Sequence, residues 1–170
     1  GAFLILANLS NANLFQAKLR WVELNTAYLD SVNIEEADAT GVNLFGAKLD
    51  RFQGRSAILK KADFRQASGS FLNFSGANFA SAMLDRVNFS EVNFSDANLR
   101  KATGVAAKFA KVVGKKANLE QVNFTQSNFI DADFTGASLL AADFTGCYLS
   151  SVILQAAELL EVTLKQEKLE

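Results

Sequence analysis

The sequence predicts an all-β solenoid, because one five-residue unit fills the whole chain. Leu, Phe or Ile occupies 29 of the 34 positions that lie five residues apart between Leu4 and Leu169. Ala or Val fills 29 of the 34 positions two residues earlier. A longer period of 20 residues is superimposed on the five-residue period and indicates that four units close one coil. These observations leave no segment over for an ordinary globular domain.

Each unit reads as a short extended face followed by a two-residue corner. Ala12-Asn13-Leu14 and Ala77-Asn78-Phe79 show the pattern, with a polar residue between two apolar ones. Alternation of this kind places both apolar side chains on one side of an extended backbone. A helix with 3.6 residues per turn would spread positions five apart around its axis.

The residue types at the remaining positions are typical of corners. Asn or Asp fills the middle position in 16 of 34 units, and these side chains readily bond nearby backbone in turns. The chain has no Pro, which fits coils whose N–H groups all bond to neighbours. The last corner position holds six glycines, as expected where a turn needs a positive φ: Gly1, Gly41, Gly46, Gly76, Gly136 and Gly146.

The 20-residue period appears when the small apolar positions are sorted into columns. One column contains Ala at all eight positions from Ala17 to Ala157. Another is much bulkier and includes Phe52 and Leu72, one period apart. Residues 20 apart therefore share an environment, which predicts four sides per coil.

The unit Ala-Asn/Asp-Leu-x-x, repeated in phase over essentially all 170 residues, resembles the pentapeptide-repeat family. The resemblance implies a right-handed quadrilateral β-helix of about eight coils. With strands ~4.8 Å apart, the rod would be roughly 40 Å long. Leu and Phe would fill its interior.

The two ends depart from the regular unit. We expect the β-helix to span 1–155 and a C-terminal cap to span 156–170, helical over 156–168, since this segment is rich in Glu, Leu, Lys and Gln. Such a cap would cover an open strand edge. The alternative is one more half-coil. Phe3, Ile5 and Leu6 are expected to point outward, so an end-to-end homodimer through the N-terminal coil or the C-terminal cap is a further hypothesis.

Four glycines replace the central apolar residue. Gly54 follows Phe52 closely, which suggests an exchange of volume within a packed core. Gly69, Gly104 and Gly114 have no such neighbour and are interpreted as bulges or a kink.

The composition argues against catalysis. The chain has no His and a single Cys, so Ser-His and Cys-His pairs and zinc clusters are excluded. Cys147 occupies an inward position and is interpreted as a buried substitute for Ala. No phosphate-binding glycine loop is present. We therefore expect a protein that is not an enzyme and uses no cofactor and no metal.

The net charge of the chain is −1, but its central part is strongly basic. Residues 1–50 carry a net charge of −3, residues 51–116 a net charge of +8 and residues 117–170 a net charge of −6. We call residues 51–116 the basic belt. It is either a solvated surface or a site for an anionic partner. The candidate partner surface consists of Lys60, Lys61, Arg65, Arg100, Lys101, Lys108, Lys111, Lys115 and Lys116.

The functional prediction is a rigid scaffold or protein-interaction module with an anionic partner. The alternative, implied by the family resemblance, is a DNA mimic that protects DNA gyrase, but the basic belt has the wrong charge for mimicry. A protein partner is expected and not identified. Nucleic acid is not expected, since the belt lacks aromatic interleaving. The sequence contains no run of 18 apolar residues, so no membrane span is predicted. The cellular compartment is not determined, and the cytoplasm is taken as the default.

Overall fold

Residues 20 apart pair as parallel β-bridges along residues 2–165, which are the residues described by a computed structural model of the chain. The bridges run from Phe3 with Glu23 to Asp143 with Thr163. Four short sides and four corners therefore close each coil of 20 residues, and the described chain makes just over eight coils. The expected quadrilateral β-helix is confirmed.

One side of three consecutive coils forms longer strands. These are β1 (Ser68–Ser70), β2 (Asn88–Ser90) and β3 (Lys108–Ala110). They pair in parallel and in the order β1-β2-β3, with Ser68 opposite Asn88 and Asn88 opposite Lys108. On the other sides each unit contributes a single bridging residue. No helix occurs in residues 2–165.

The corners are tight turns with one left-handed residue. The Ala7 N–H donates to the Leu4 carbonyl at 3.1 Å, and the same bond recurs at most corners. The third residue of the turn has a positive φ, which defines a type II turn. Five glycines occupy this position, as the sequence predicted, but 27 other residues adopt the same conformation. Closure of the coil therefore imposes it even on residues with a Cβ, such as Trp21.

The Asn and Asp side chains of the middle position complete the backbone hydrogen bonding. Backbone carbonyls accept from four of the five N–H groups in a regular unit. The fifth, at the first corner residue, donates to the side chain two residues earlier, as Ser10 does to Asn8 Oδ1 at 3.0 Å. Fifteen of the 16 Asn and Asp side chains make this bond; the exception is Asn88 in β2. The expected role of these side chains is confirmed.

The interior is filled by the central residues of the units. From Phe52 to Phe144 the rings form a continuous chain of neighbours with centroids 5.0–6.4 Å apart. Edge-to-face and tilted pairs predominate, which is the favoured geometry for aromatic rings. Ring packing thus links successive coils as well as the residues within one coil.

The interpretation of two core glycines as bulges was wrong. A Cβ on Gly104 would lie 2.6 Å from the Phe124 ring, and one on Gly114 would lie 2.7 Å from the Phe134 ring. Each glycine makes room for a phenylalanine of the next coil. Gly54 does the same for Phe74, so this ring rather than Phe52 alone occupies the space.

Gly69 differs from the other core glycines. It lies within β1, where a Cβ would meet the backbone of Leu49 at 3.0–3.1 Å. Close approach of two coils, not a ring, leaves little room for a side chain at this position.

The predicted C-terminal helix is absent from 156–165. Glu158 pairs with Ser138 and Thr163 with Asp143, while Ala156 and Glu161 keep the positive φ of the regular corners. The apolar register, which persists through this segment, outweighs its helical propensity. The coil thus continues past residue 155, as in the half-coil alternative; residues 166–168 of the predicted helix lie outside the described residues. At the other end Phe3 is 79% exposed and Ile5 and Leu6 point outward, as expected.

Candidate functional site

The corners stack into four columns that carry most of the surface charge. The Lys60 corner comprises the stacked pairs 20–21, 40–41, 60–61, 80–81, 100–101, 120–121, 140–141 and 160–161. The next corner along the chain contains Arg65, the third contains Lys111, and the fourth contains Lys115. Each column follows from the 20-residue pairing.

The nine residues of the candidate partner surface do not form one patch. Lys60, Lys61, Arg100 and Lys101 share the Lys60 corner, whereas Lys115 and Lys116 lie on the fourth corner. Arg65 and Lys111 are alone on their corners among the nine, and Lys108 lies in β3. The basic belt therefore surrounds the rod, and its densest cluster is on the Lys60 corner.

Ion pairs occupy three of these nine cations. Arg65 contacts Asp63 at 2.7 Å, Arg100 contacts Glu120 at 3.3 Å, and Lys115 contacts Asp133 at 3.1 Å. The remaining six have no salt bridge within residues 2–165: Lys60, Lys61, Lys101, Lys108, Lys111 and Lys116. Among the nine, these six exposed lysines are the cations that an external anion could reach without displacing a carboxylate.

The Lys60 corner also carries an aromatic side chain that the sequence interpretation missed. Trp21 belongs to the first stacked pair and is 57% exposed. Its ring lies over Gly41, where a Cβ would be 2.2 Å from Cε3 and Cζ3. Because Trp21 precedes Lys61 by 40 residues, two coil periods, the 20-residue period could have revealed this neighbourhood.

Carboxylates near the belt are held by structural hydrogen bonds. Burial pushes the pKa of Asp38 up, but hydrogen bonds from Thr40 and Arg20 outweigh this and hold the pKa below its usual range. Thr40 Oγ1 donates at 2.8 Å and Arg20 Nε at 2.6 Å.

Asp133 is held in the same way. Burial raises its pKa, and donors from Thr135 and Lys115 lower it by more. Asp38 and Asp133 are therefore both held as anions at the middle positions of their units. Neither is poised as an acid or a base near neutral pH.

A surface groove of about 430 Å³ lies at the Arg65 corner. Arg65 covers the Phe45 ring at 5.9 Å from its centroid and forms a two-point contact with Asp63. Asp85 accepts from the Val105 N–H at 2.8 Å and from Thr103 Oγ1 at 3.1 Å. Residues of both charge signs line the groove, which is formed by Phe45, Arg65, Gln66, Asp85, Arg86, Thr103 and Val105.

Other chemistry finds little support in the described part of the chain. Within residues 2–165, no group of three His, Cys, Asp or Glu could hold a metal. Cys147 is buried and its thiol donates to the Phe124 carbonyl at 2.9 Å. None of the described residues forms a helix suited to crossing a membrane.

The fold and the corner columns define a four-sided β-helix built from five-residue units. The family model of pentapeptide repeats matches eight copies, over residues 7–46, 55–79, 73–103 and 115–151. The chain belongs to the pentapeptide-repeat family. No match was found among curated protein sequences.

Solved structures of pentapeptide-repeat proteins resemble the chain. Trypsin-treated QnrB1 R167E, a plasmid-mediated fluoroquinolone resistance protein, has 18% identity and a TM-score of 0.50, over 100% of this chain and 92% of its own. HetL, which is involved in heterocyst differentiation regulation in the cyanobacterium Nostoc sp. strain PCC 7120, has 24% identity and a TM-score of 0.48. That alignment covers 99% of this chain and 87% of HetL. The likeness to QnrB1 shows a shared fold.

Proposed function

We propose that the chain is a non-enzymatic, rigid interaction module that binds an anionic partner through its basic belt. The observation that carries this proposal is the set of six belt lysines without a salt bridge in residues 2–165. Three of them, Lys60, Lys61 and Lys101, share one corner. Exposed cations that no internal acid neutralises attract anions and raise their local concentration.

The packing of the rod supports a role as a rigid scaffold. The central residues from Leu24 to Phe144 are buried, apart from the half-buried Gly69, and side chains rather than a cavity fill the interior. Backbone hydrogen bonds join each coil to the next. Side chains on a corner are thus held at a repeat of ~4.8 Å along the axis, which suits recognition of an extended partner.

Reversing the charge of the unpaired lysines tests this proposal. All six are changed to Glu in one variant and to Arg in a matched control, which keeps the charge at the same positions. We expect the wild type and the Arg variant to retain a protein or other anionic partner from a lysate of the source organism at physiological salt. The Glu variant should lose it while its circular dichroism spectrum stays unchanged.

Two results would overturn this proposal. One is a partner that the Glu variant still retains, and the other is a wild-type protein that retains none. Capture is repeated after nuclease treatment, because a protein partner survives that treatment and a nucleic acid does not.

Modulation of DNA gyrase stays an alternative prediction. Mimicry of DNA needs acids in rows, but within residues 2–165 the only acids stacked directly 20 residues apart are Asp30 and Asp50. A supercoiling assay tests the alternative. We expect the protein neither to inhibit gyrase nor to protect it from a fluoroquinolone, and either effect would favour the alternative over the basic belt.

A further inference from the structure

We propose that the Lys60 corner binds single-stranded nucleic acid, with a base stacked on Trp21 and phosphates bound by Lys60, Lys61 and Lys101. This inference rests on the proposed function, because it names the anionic partner of the basic belt. It also departs from the expectation that nucleic acid is not a partner. That expectation depended on a belt without aromatic residues, whereas the fold brings Trp21 onto the same corner.

Trp21 is positioned as a stacking platform. One part of its ring lies against Gly41, where any Cβ would clash with Cε3 and Cζ3 at 2.2 Å. The glycine therefore lets the indole lie close to the backbone, and 57% of the residue stays exposed. Aromatic side chains held in this way stack on nucleic acid bases with little dependence on sequence.

The cations follow Trp21 along the same corner. Lys60 and Lys61 lie two coils from Trp21, about 10 Å along the axis, and Arg100 and Lys101 lie about 10 Å further. Ala80 and Ser81 occupy the corner between the two pairs, so no long side chain separates them. The result is an edge of about 20 Å with an aromatic ring at one end and cations beyond it.

The acids beside this edge are already engaged. Asp38 binds Arg20 at 2.6 Å, and Glu120 binds Arg100 at 3.3 Å. On the adjoining side, Glu23 accepts from Asn43 Nδ2 at 2.6 Å, and Asp63 is paired with Arg65.

Lys60, Lys61 and Lys101 have no salt bridge within residues 2–165. An external phosphate would therefore meet cations without first displacing a carboxylate. Binding of single strands through such cations is dominated by phosphate contacts and depends strongly on salt.

The combination of an exposed Trp21 with lysines on the same corner favours single-stranded nucleic acid over the other anionic polymers. An acidic peptide would satisfy the lysines but would supply no aromatic face for Trp21. A duplex keeps its base faces within the stack, so Trp21 could not reach them without base flipping. A single strand offers an exposed base and phosphates together.

Titration with a labelled single-stranded oligonucleotide tests the inference. Binding of 5′-fluorescein dT12 is followed by anisotropy, and the fluorescence of Trp21 is recorded in the same titration; Trp21 is the chain's single Trp. We expect saturable binding that quenches Trp21. Trp21→Ala should weaken the affinity about 5- to 150-fold, which corresponds to the loss of one stacked base. The slope of log K against log salt should be about −2, since three phosphates each contribute about −0.7.

Matched variants elsewhere on the rod separate this site from general charge attraction. Phe71→Ala is the control for Trp21→Ala, because Phe71 is 56% exposed and has the same corner position, with a φ of 57°. The triple change of Lys60, Lys61 and Lys101 to Glu is compared with the triple change of Lys108, Lys111 and Lys116 to Glu. We expect the first set to abolish binding at physiological salt and the second to reduce it by less than tenfold.

Each contrary result has a distinct meaning. Equal losses for the two triple variants, or full affinity in Trp21→Ala, would overturn the inference. Fluorescein-labelled polyglutamate serves as the acidic-protein probe. If polyglutamate binds through Lys60, Lys61 and Lys101 while dT12 does not bind, the inference is wrong and the proposed function stands. If neither probe binds and the lysate capture also fails, both are wrong.

Discussion

The first coils and the later coils have the same backbone but different interiors. Between residues 4 and 59 the central positions hold Leu, with Ile34, Ala39 and Gly54 as exceptions. Between residues 64 and 144 they hold ten Phe, four Leu and three Gly. Both kinds of interior contain buried side chains from Leu24 onward, and the bridges keep the 20-residue register throughout.

The comparison shows how a coil of constant perimeter accommodates larger side chains. Phe is bulkier than Leu, and the coil cannot widen without breaking its bridges to both neighbours. Glycine removes a side chain where a ring of the next coil enters, as Gly104 does for Phe124. Total volume is thus kept while the shapes change, which packed cores tolerate.

The largest expected effect comes from restoring a side chain at such a glycine. Gly104→Ala places a Cβ 2.6 Å from the Phe124 ring. Phe109, Phe129 and Phe144 surround that ring with centroids 5.1–5.8 Å away, so it has little room to move. We expect the free energy of unfolding, measured with urea, to fall by about 1–3 kcal/mol.

A double-mutant cycle shows whether the ring is the cause. The φ of Gly104 lies outside the left-handed region, so Ala fits the backbone and would stabilise by about 0.4–1 kcal/mol in the absence of a clash. In a Phe124→Leu background we therefore expect Gly104→Ala to be neutral or stabilising. An unchanged loss in that background would show that the ring does not determine the need for glycine.

The sequence predicted the coil but not the way in which its glycines are used. Each of the four core glycines is followed 20 residues later by a phenylalanine, for example Gly104 by Phe124. This correlation was present in the columns, although it does not reveal the direction in which a ring leans. At Gly69 this correlation does not identify the contact, since the Leu49 backbone rather than Phe89 occupies the space beside the glycine.

The prediction of a C-terminal helix was wrong for another reason. The residues of this segment favour a helix, yet its apolar register persists and the preceding coil offers unpaired backbone groups that an extended segment satisfies. The candidate site was predicted in part. The 20-residue period grouped Lys60 with Arg100, whereas the packing of Trp21 over Gly41 depends on side-chain geometry that a column does not contain.

The second prediction concerns the side chains that complete the backbone, which should matter equally in both kinds of coil. Asn33 in the Leu-filled coils accepts from Glu35 N at 2.8 Å, and Asn93 in the Phe-filled coils accepts from Ser95 N at 2.9 Å. Changing either residue to Ala leaves an N–H without its acceptor. We expect a loss of about 1 kcal/mol in each case, measured by urea unfolding.

Asn88→Ala is the matched control, because Asn88 makes no such bond to the backbone two residues on. Its substitution should change the free energy of unfolding by less than 0.5 kcal/mol, roughly the range of an ordinary surface change. A loss at Asn88 equal to that at Asn93 would mean that propensity, rather than the hydrogen bond, accounts for Asn at these positions.

The smallest effect is expected at acid pH, and it compares one carboxyl from each kind of coil. The pKa values of Asp38 and Asp133 are lowered in the folded chain: burial raises them, and hydrogen bonds from Thr40 and Arg20, or from Thr135 and Lys115, lower them by more. A group whose folded pKa lies below its unfolded pKa stabilises the protein at pH values above the unfolded pKa of about 4, and this contribution is lost as the pH falls further.

Asp38→Asn and Asp133→Asn keep an acceptor for the backbone but cannot titrate. We expect both variants to show a shallower decline of stability than the wild type between about pH 4 and pH 2, measured by urea unfolding. Because the two carboxyls occupy the same middle position of their units over different cores, the two variants should flatten the decline alike; a difference between them would show that the packed interior influences the charges on the surface.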